Sequence, residues 1–575
     1  MQETNKKLRE WLFPLVAVIA TIAVWQGALR SGFTPDDYMV IDVQSPIRSF
    51  IDVISMFWRH DPNPQYWRPL TNSSVSFDFW IWGYNAGGFH LTNLLLHCIG
   101  TALAYYFTRR IFSLSHLQAG ITALIFGISA SHDSNLLWIA ARSDVNATIM
   151  MLICLLAAHK WESGTLNKWW LAASYLAFFL ALCSKEVSGV TLVLLPLVIY
   201  SSSPKDLWQK KRSILIKLIP YVALTALFVF IRLQFTVPLS QMQPLEAEGS
   251  HSLSAFTKNA VYTLGYIVAP IDFGTASLII NKYATYGYIA AGLLLVLCIV
   301  AALQLRKTSL FGRLYKPILF TLVTALVSFQ SFERWRVYAP SIAIYSMIIV
   351  TGFALYENVK RQNIMRPVLM AILIIMILFY SSRSLRSLSV WEVSTKAIEK
   401  MKNDIETILS VNTHRPIQLN LLTSPIKLGG APIFQLSNSY LAIIPEAQRK
   451  ELASMKYGSL GSSRDSVGLY TDLDIYALDP KKGFQSYVVK KISANELDVS
   501  GDENVIGMMP NTPIVGGVAR RDRVLREGGV YETEGASITI LKAQGAFASH
   551  VIVKVKDTLS LPIYFNGVGL TELDK

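Results

Sequence analysis

Asp36, Asp37, Arg68, His90, His132, Asp133, Arg142, Asp144, Lys185, Glu186, Glu333, Arg334 and Arg336 all stand at the ends of long apolar runs. An ionisable group at membrane depth costs several kcal/mol unless it is paired or hydrated. A shared polar cavity that opens to one side of a membrane would meet that cost. Arg68, Arg142, Lys185, Arg334 and Arg336 are suited to a phosphate, Arg as a bidentate fork and Lys as a point charge. The adjacent acids of "SGFTPDDYMV", Asp36 and Asp37, can take a proton from a hydroxyl. His90, His132, Asp133 and Glu186 are placed to support such a site or an acceptor. A phosphate held at a membrane surface points to a lipid phosphate. A base beside a lipid-phosphate leaving group describes sugar transfer from a polyprenyl-phosphate sugar.

Each element also has a plainer reading. Asp36/Asp37 could cap the segment that follows. Lys185/Glu186 could be an ion pair at a tight hairpin, and Arg142/Asp144 an ion pair in a loop. His90, Asn93 and His97 share one helix face by their i, i+3, i+7 spacing, which more often makes an interhelical polar contact than a metal site. His60 and Asp61 read as surface-loop residues. "GYNAGG" is a turn into a helix rather than a phosphate loop, and no Walker, dinucleotide or zinc pattern is present.

These residues must be held by apolar helices. The chain has 575 residues, 52% hydrophobic and 16% charged, against roughly 25% charged in a soluble protein. Its net charge of +14 comes largely from short basic clusters between apolar runs. That is a topology signal and a contact with anionic lipid, not a nucleic-acid footprint. The four cysteines, Cys98, Cys154, Cys183 and Cys298, lie inside apolar segments as packing residues. With ~20 apolar residues per span, the candidates are 11–29, 89–108, 117–131, 144–161, 168–184, 187–201, 214–235, 286–305, 316–331, 337–356 and 366–381. The first reads as an uncleaved membrane helix. The stretch 258–280, with Pro270 and Asp272, reads as interfacial or re-entrant. The basic clusters then share one side, the cytoplasm, together with the N-terminus.

The expected organisation is a polytopic α-helical membrane part, residues 1–388 with about eleven spans, followed by 389–575. Residues 30–88 form a long first external loop. The C-terminal part is expected to be a mixed α/β, strand-rich extracytoplasmic domain. Its strands are "PIQLNLL", "SYVVKKI", "ASITILKA" and "SHVIVKVK", parted by turns such as "DPKKG", "SGDEN" and "REGG". Residues 392–410 and "PEAQRKELASM" read as helical.

The order of the charged motifs resembles a known family. "YWRPLTNSSVSFDFWIWGYNAGGFHLTNLLLHCIG", then "FGISASHDSNLLWIAARSDV", "CSKEVSGVTLVLLPLVIY" and "ERWRVYAPSIA" are similar to successive segments of the GT-C glycosyltransferases. The likeness is to those that include the transmembrane and tetratricopeptide-repeat O-mannosyltransferases and their bacterial relatives. The early "F.PDD" matches the acidic pair of that family's first external loop. The resemblance covers about residues 10 to 385. It implies a GT-C bundle, Asp36 as the catalytic base, and Arg68, Arg142, Lys185 and one of Arg334 and Arg336 on the lipid phosphate. The chain also departs from the pattern. Ser129-Ala130 replaces the family's His-Pro, His132 retains the later His, and Ser134 replaces a Glu, with Asp133 beside it. The "ERWRVYAPS" segment is one residue longer. No tetratricopeptide repeats follow.

The expectation is an inverting glycosyltransferase that uses an undecaprenyl-phosphate-type donor on the outer face of the bacterial cytoplasmic membrane. Its acceptor is a glycan, lipid or protein hydroxyl. No cofactor is required; a divalent cation near Asp36/Asp37 is allowed but not implied, because no complete ligand set is visible. The alternatives are a transporter or flippase of a lipid-linked saccharide, and a membrane-anchored glycan-binding protein.

Overall fold

The computed structural model describes residues 2–42, 47–59, 66–165, 167–200, 208–236, 253–270, 309–330, 332–358 and 362–411. Beyond these it describes a set of strands and short turns between 418 and 572. The chain is mostly helical and forms two compact units. One comprises Met1–Leu29, Val43–Ile271 and Ile279–Leu388; the other comprises Arg30–Asp42, Asp272–Leu278 and Ser389–Lys575.

The helices in chain order are α1 (Gln2–Trp25), α2 (Pro35–Asp42), α3 (Phe50–Ile54), α4 (Pro69–Trp82), α5 (Ala86–Arg110), α6 (His116–Ile128) and α7 (Asp133–Leu137). Then come α8 (Arg142–Lys160), α9 (Lys168–Ser184), α10 (Thr191–Leu194), α11 (Lys211–Phe235), α12 (Leu253–Val268), α13 (Ser309–Gln330), α14 (Tyr338–Asn358) and α15 (Gln362–Val411). Among the described residues, five stretches are long and apolar enough to cross a membrane: Glu10–Arg30, Ile139–Gly164, Lys211–Phe235, Arg334–Ala354 and Arg366–Ile408. They mark an integral membrane protein. His116–Ile128, Lys168–Ser184 and Glu186–Leu197 are shorter apolar helices. Asp272, the expected span 286–305, Cys298, His60 and Asp61 lie outside the described residues.

Local chemistry sets the ends of these helices. Ser115 and Gln118 form a reciprocal capping box that starts α6. The expected span 187–201 is not one regular helix. It runs as a 3-10 turn, four α-helical residues and a π turn, Leu195–Ile199. Pro196 has no N–H to continue an α-helical ladder. The expected break between the last span and the helix at 392–410 is absent. α15 is continuous for 50 residues, because no Gly or Pro interrupts residues 368–411.

In the first unit α1 packs on α6, α5 on α6 and α8, and α8 on α9. The seam between α1 and α6 is close. The Gly127 carbonyl accepts from Trp25 Nε1 and His97 Nε2, each at 3.0 Å. A carbonyl only accepts, so Nε2 of His97 carries the proton and Nδ1 takes the Tyr338 hydroxyl at 2.9 Å. The rings of His97, Phe126, His132 and Tyr338 pack around this point, with His97 on His132 and Tyr338 on both Phe126 and His132 edge to face. Cys98, Cys154 and Cys183 are buried and free.

In the second unit the strands in chain order are β1 (Gln418–Pro425), β2 (Lys427–Leu428), β3 (Ala431–Pro432), β4 (Ser454–Lys456), β5 (Leu469–Thr471), β6 (Tyr487–Ser493), β7 (Glu496–Gly501), β8 (Ile506–Met508), β9 (Val530–Glu532), β10 (Ala536–Gln544), β11 (Phe547–Val555), β12 (Leu561–Phe565) and β13 (Leu570–Glu572), and the main sheet runs in the order β13-β12-β1-β5-β8-β11-β10-β9. The sheet is mixed: β1 (Gln418–Pro425) runs parallel to β12 (Leu561–Phe565), and β10 (Ala536–Gln544) antiparallel to β11 (Phe547–Val555). Period-2 burial builds its core. Leu497, Val499, Ile538, Ile540, Val551 and Val553 are all buried, and the register pairs Ile538 with Val553 and Val551 with Val499. All four expected strands are present. The turn at "REGG" is closed by Gly529 N–H donating to the Arg526 carbonyl at 2.9 Å. Gly528 there has φ +77°, the left-handed region glycine occupies freely. Most of "PEAQRKELASM" lies outside the described residues, and its last two, Ser454 and Met455, enter a strand rather than a helix. "DPKKG" also lies outside them.

A Cβ on Gly127 would sit 2.0 Å from Thr21 Oγ1 and 3.1 Å from Thr101 Cγ2. Gly127→Ala is therefore expected to lower the thermal stability of the detergent-solubilised protein by about 1–3 kcal/mol. Adding Thr21→Ala should restore most of that loss, which a melting-curve double-mutant cycle would measure.

Candidate functional site

In the second unit the opening acids separate. Thr34 Oγ1 accepts from Asp37 N–H at 3.3 Å, and Asp37 Oδ2 accepts from Thr34 N–H at 2.9 Å. This is a capping box with Pro35 at the first helical position. Asp37 thus caps α2 with Thr34, while the Asp36 carboxylate takes no part in the cap. Asp36 is 9% exposed. Burial, and then the neighbouring Asp37 charge, push its carboxyl up to about 7. Gly32 N–H donates to Thr395 Oγ1 at 2.9 Å, and Lys402 lies 5.2 Å from the Tyr38 ring, which ties α2 to α15.

In the first unit a cleft is lined by Asp144, Lys185, Arg336 and Tyr338 together with Ala147, Met151, Val187, Val190, Val327 and Trp335. Its cavity volume is about 50 Å³, and it opens to the surface. Apart from the charged residues the lining mixes apolar side chains with the hydroxyls of Thr148, Ser188, Thr324 and Ser328. Lys185 follows the last residue of α9 and pairs with Asp144 in the first turn of α8. Arg68 precedes Pro69 at the start of α4, and its Nε and Nη2 donate to Glu186 Oε2 at 3.2 and 2.9 Å. The guanidinium of Arg68 also lies 4.1 Å from the Tyr66 ring. Arg232, at the end of α11, lies 3.8 Å from Glu186 Oε1, which also accepts from Arg68 Nε at 3.3 Å.

These pairings differ from the plainer sequence readings. Lys185 does not pair with Glu186, nor Arg142 with Asp144. Neighbours in sequence point to different partners here, and the pairs form across elements: Lys185 with Asp144, Glu186 with Arg68, Arg142 with Asp78. Sequence reasoning missed Arg232 and Asp78. Each carried a signal, a lone charge inside an apolar helix ("FVFIRLQF" and "VSFDFWIW").

Arg142 is a correction to the expected phosphate set. It is completely buried. Its Nη2 lies 2.6 Å from Asp78 Oδ2 and donates to the Phe89 carbonyl at 3.1 Å. Nε donates to Asn93 Oδ1 at 2.6 Å, and Nη1 to Ser74 at 3.2 Å. All three nitrogens are engaged, so no face remains for a ligand. Asp78 also accepts from Thr92 Oγ1 at 2.6 Å. Arg334 and Arg336 diverge as well. Arg336 lines the cleft, whereas Arg334 lies 3.8 Å from Asp133 and 5.4 Å from the Tyr266 ring. Asp133 also accepts from Ser134 N–H, the Tyr266 hydroxyl and the Ser387 hydroxyl.

The histidines are structural in this geometry. His90 meets the Leu136 carbonyl at 3.4 Å, and Asn93 donates to that same oxygen at 3.0 Å. His132 bridges the Phe126 carbonyl and Ser341 Oγ, both at 2.9 Å. Among the described residues no three His, Cys, Asp or Glu side chains are grouped to hold a metal ion.

Removing one partner from a fully buried ion pair leaves an uncompensated charge. Asp78→Asn should therefore destabilise the protein by about 3–5 kcal/mol, and replacing both partners (Asp78→Leu with Arg142→Met) by much less. Thermal melts of the two variants would test this.

No family model matches the chain. It is 28% identical to mouse (Mus musculus) protein O-mannosyl-transferase TMTC1 over 148 residues, 24% of this chain and 16% of that protein. It is 26% identical to the Drosophila melanogaster Tmtc1 protein over 181 residues, 30% of this chain and 21% of that protein. The chain thus spans about a fifth or less of the length of the curated relatives it matches. Among solved structures, it aligns with archaeal oligosaccharyltransferase AglB from Archaeoglobus fulgidus, solved with an inhibitory peptide and a dolichol-phosphate. That match has a TM-score of 0.42 and 10% identity, over 88% of this chain and 76% of that one. It also aligns with ArnT from Cupriavidus metallidurans bound to undecaprenyl phosphate, at TM-score 0.41 and 13% identity, over 88% and 98%. The resemblance that the charged motifs carry is borne out: over about a quarter of its length this chain is similar to protein O-mannosyl-transferases.

Proposed function

We propose that the chain is an inverting glycosyltransferase. It moves a sugar from a polyprenyl-phosphate donor to a hydroxyl of a glycan, lipid or protein, on the outer face of a bacterial cytoplasmic membrane. The observation that carries this reading is the cleft in which Lys185 and Arg336 stand beside an apolar wall that includes Met151, Val187, Val190 and Val327. A lipid phosphate has that same division: one charged head and an apolar tail. The sequence similarity to O-mannosyl-transferases adds a reaction class.

In this mechanism Asp36 accepts the proton of the acceptor hydroxyl as its oxygen attacks the anomeric carbon. Asp37 holds the start of α2 by capping it. Lys185 and Arg336, with Arg68, receive the charge of the departing phosphate, so the leaving group needs no acid. General-base assistance contributes roughly 10²–10⁴-fold. Cations fixed in a water-poor site add a comparable share.

The first test is transfer of radiolabelled sugar from polyprenyl-phosphate donors in a membrane extract. Asp36→Asn should abolish release of label while the protein stays folded; full turnover by that variant would remove Asp36 as the base. Lys185→Ala should weaken donor binding, and unchanged donor affinity would argue against the phosphate site.

The Asp36 carboxyl must be ionised to act, so turnover should fall as pH drops through about 7. The same group is protonated in the folded chain where the unfolded chain is ionised. Its contribution to stability is therefore lost as pH rises from about 4 to about 7. A pH–rate profile with an acid limb near the ordinary carboxylate range would contradict the assignment.

A further inference from the structure

Arg232 falls in none of the family-like motifs. It sits in the last turn of α11, four residues after Phe228 and three before Phe235, so the three share one helix stripe. The two phenylalanines take hold of Trp67, with ring centroids at 5.6 and 5.7 Å. That grip fixes the residue after Trp67, Arg68, beside α11. Arg68 thereby holds both oxygens of one carboxylate, Glu186, and Arg232 approaches one of the same two, Oε1, at 3.8 Å. The side chains of Arg68, Glu186 and Arg232 are 22%, 20% and 26% exposed, so the triad is open to a ligand, unlike the sealed Arg142–Asp78 pair.

A guanidinium fork meets carboxylate and phosphate oxygens in the same way. We propose that Arg232 is a further phosphate-binding cation of this site, and that Glu186 is the counter-ion the phosphate displaces. The proposal rests on the transferase reading above. In that reaction the bond from the acceptor oxygen to the anomeric carbon forms, and the bond from that carbon to the phosphate oxygen breaks. The electron pair stays on the phosphate, and the acceptor proton goes to the base. A phosphodiester with one charge becomes a phosphomonoester with about two. Two guanidiniums around one oxyanion favour the second state over the first, which is the differential binding that lowers a barrier. When the lipid phosphate leaves, Glu186 returns and keeps the two guanidiniums from repelling each other.

The test uses the full chain in lipid nanodiscs and measures equilibrium binding of polyprenyl monophosphate and of its methyl diester. R232Q should weaken monophosphate binding roughly 10- to 100-fold, the span of one charge-assisted hydrogen bond, and weaken the diester less. R232K should recover part of the loss. E186Q should bind the monophosphate more tightly than wild type, because the internal competitor is gone. Equal monophosphate affinity for R232Q and wild type would overturn the proposal and leave the transferase reading standing. So would E186Q weakening binding as R232Q does, the mark of a purely structural ion pair. If E186Q does not fold, R232Q against R232K decides. Wild type that binds neither lipid would overturn the transferase reading and this proposal together.

Discussion

A guanidinium removed from water must have every nitrogen engaged, and Arg142 imposes that constraint on much of the helical unit. Its partners come from α4 (Ser74, Asp78) and α5 (Phe89, Asn93), while Arg142 itself begins α8. Three elements must therefore arrive together before the charge is tolerable. Two residues further along α8 stands Asp144, which holds Lys185 at the end of α9. The buried pair thus fixes the frame from which the exposed cleft is built. Arg142 matters by being unavailable to a ligand.

The cleft and the triad beside it follow a different rule. Their ion pairs are partly open, with carboxylates set against cations. Partial exposure keeps the desolvation cost moderate, so such pairs can exchange partners. The aromatic grip of Phe228 and Phe235 on Trp67 adds precision without charge. It fixes Arg68 from the side while Glu186 fixes it from the front.

Much of this was legible in one dimension. Asp36, Lys185 and Arg336 stood out because charges at the ends of apolar runs are costly, and the O-mannosyltransferase-like motifs lay in order. The strands at 418–425, 487–493, 536–544 and 547–555 followed from alternation and turn residues. The partners were not legible. Lys185-Glu186 and Arg142-x-Asp144 read as local pairs, but consecutive side chains near helix ends point in different directions. Asp78 carried no reading in the sequence, because its partner Arg142 is 64 residues away and meets it only when the helices pack. Arg232 stood out as a lone charge in an apolar helix, but its partner, Glu186, lies 46 residues away in the chain and is met only in the fold.

The sequence by itself determined that this is an apolar, many-helix chain with a strand-rich C-terminal part, and which residue types gather at the helix ends. Hydrophobic periodicity and the cost of burying charge act residue by residue, so they leave a local record. Only the tertiary structure decided which charges are sealed and which are open. It separated Asp37, the cap, from Asp36, which the cap leaves aside; Arg336 in the cleft from Arg334 against Asp133; and Arg142 in the core from Arg68 and Arg232 around Glu186. Pairing depends on distance and direction between segments far apart in the chain, and those are set only when the helices pack.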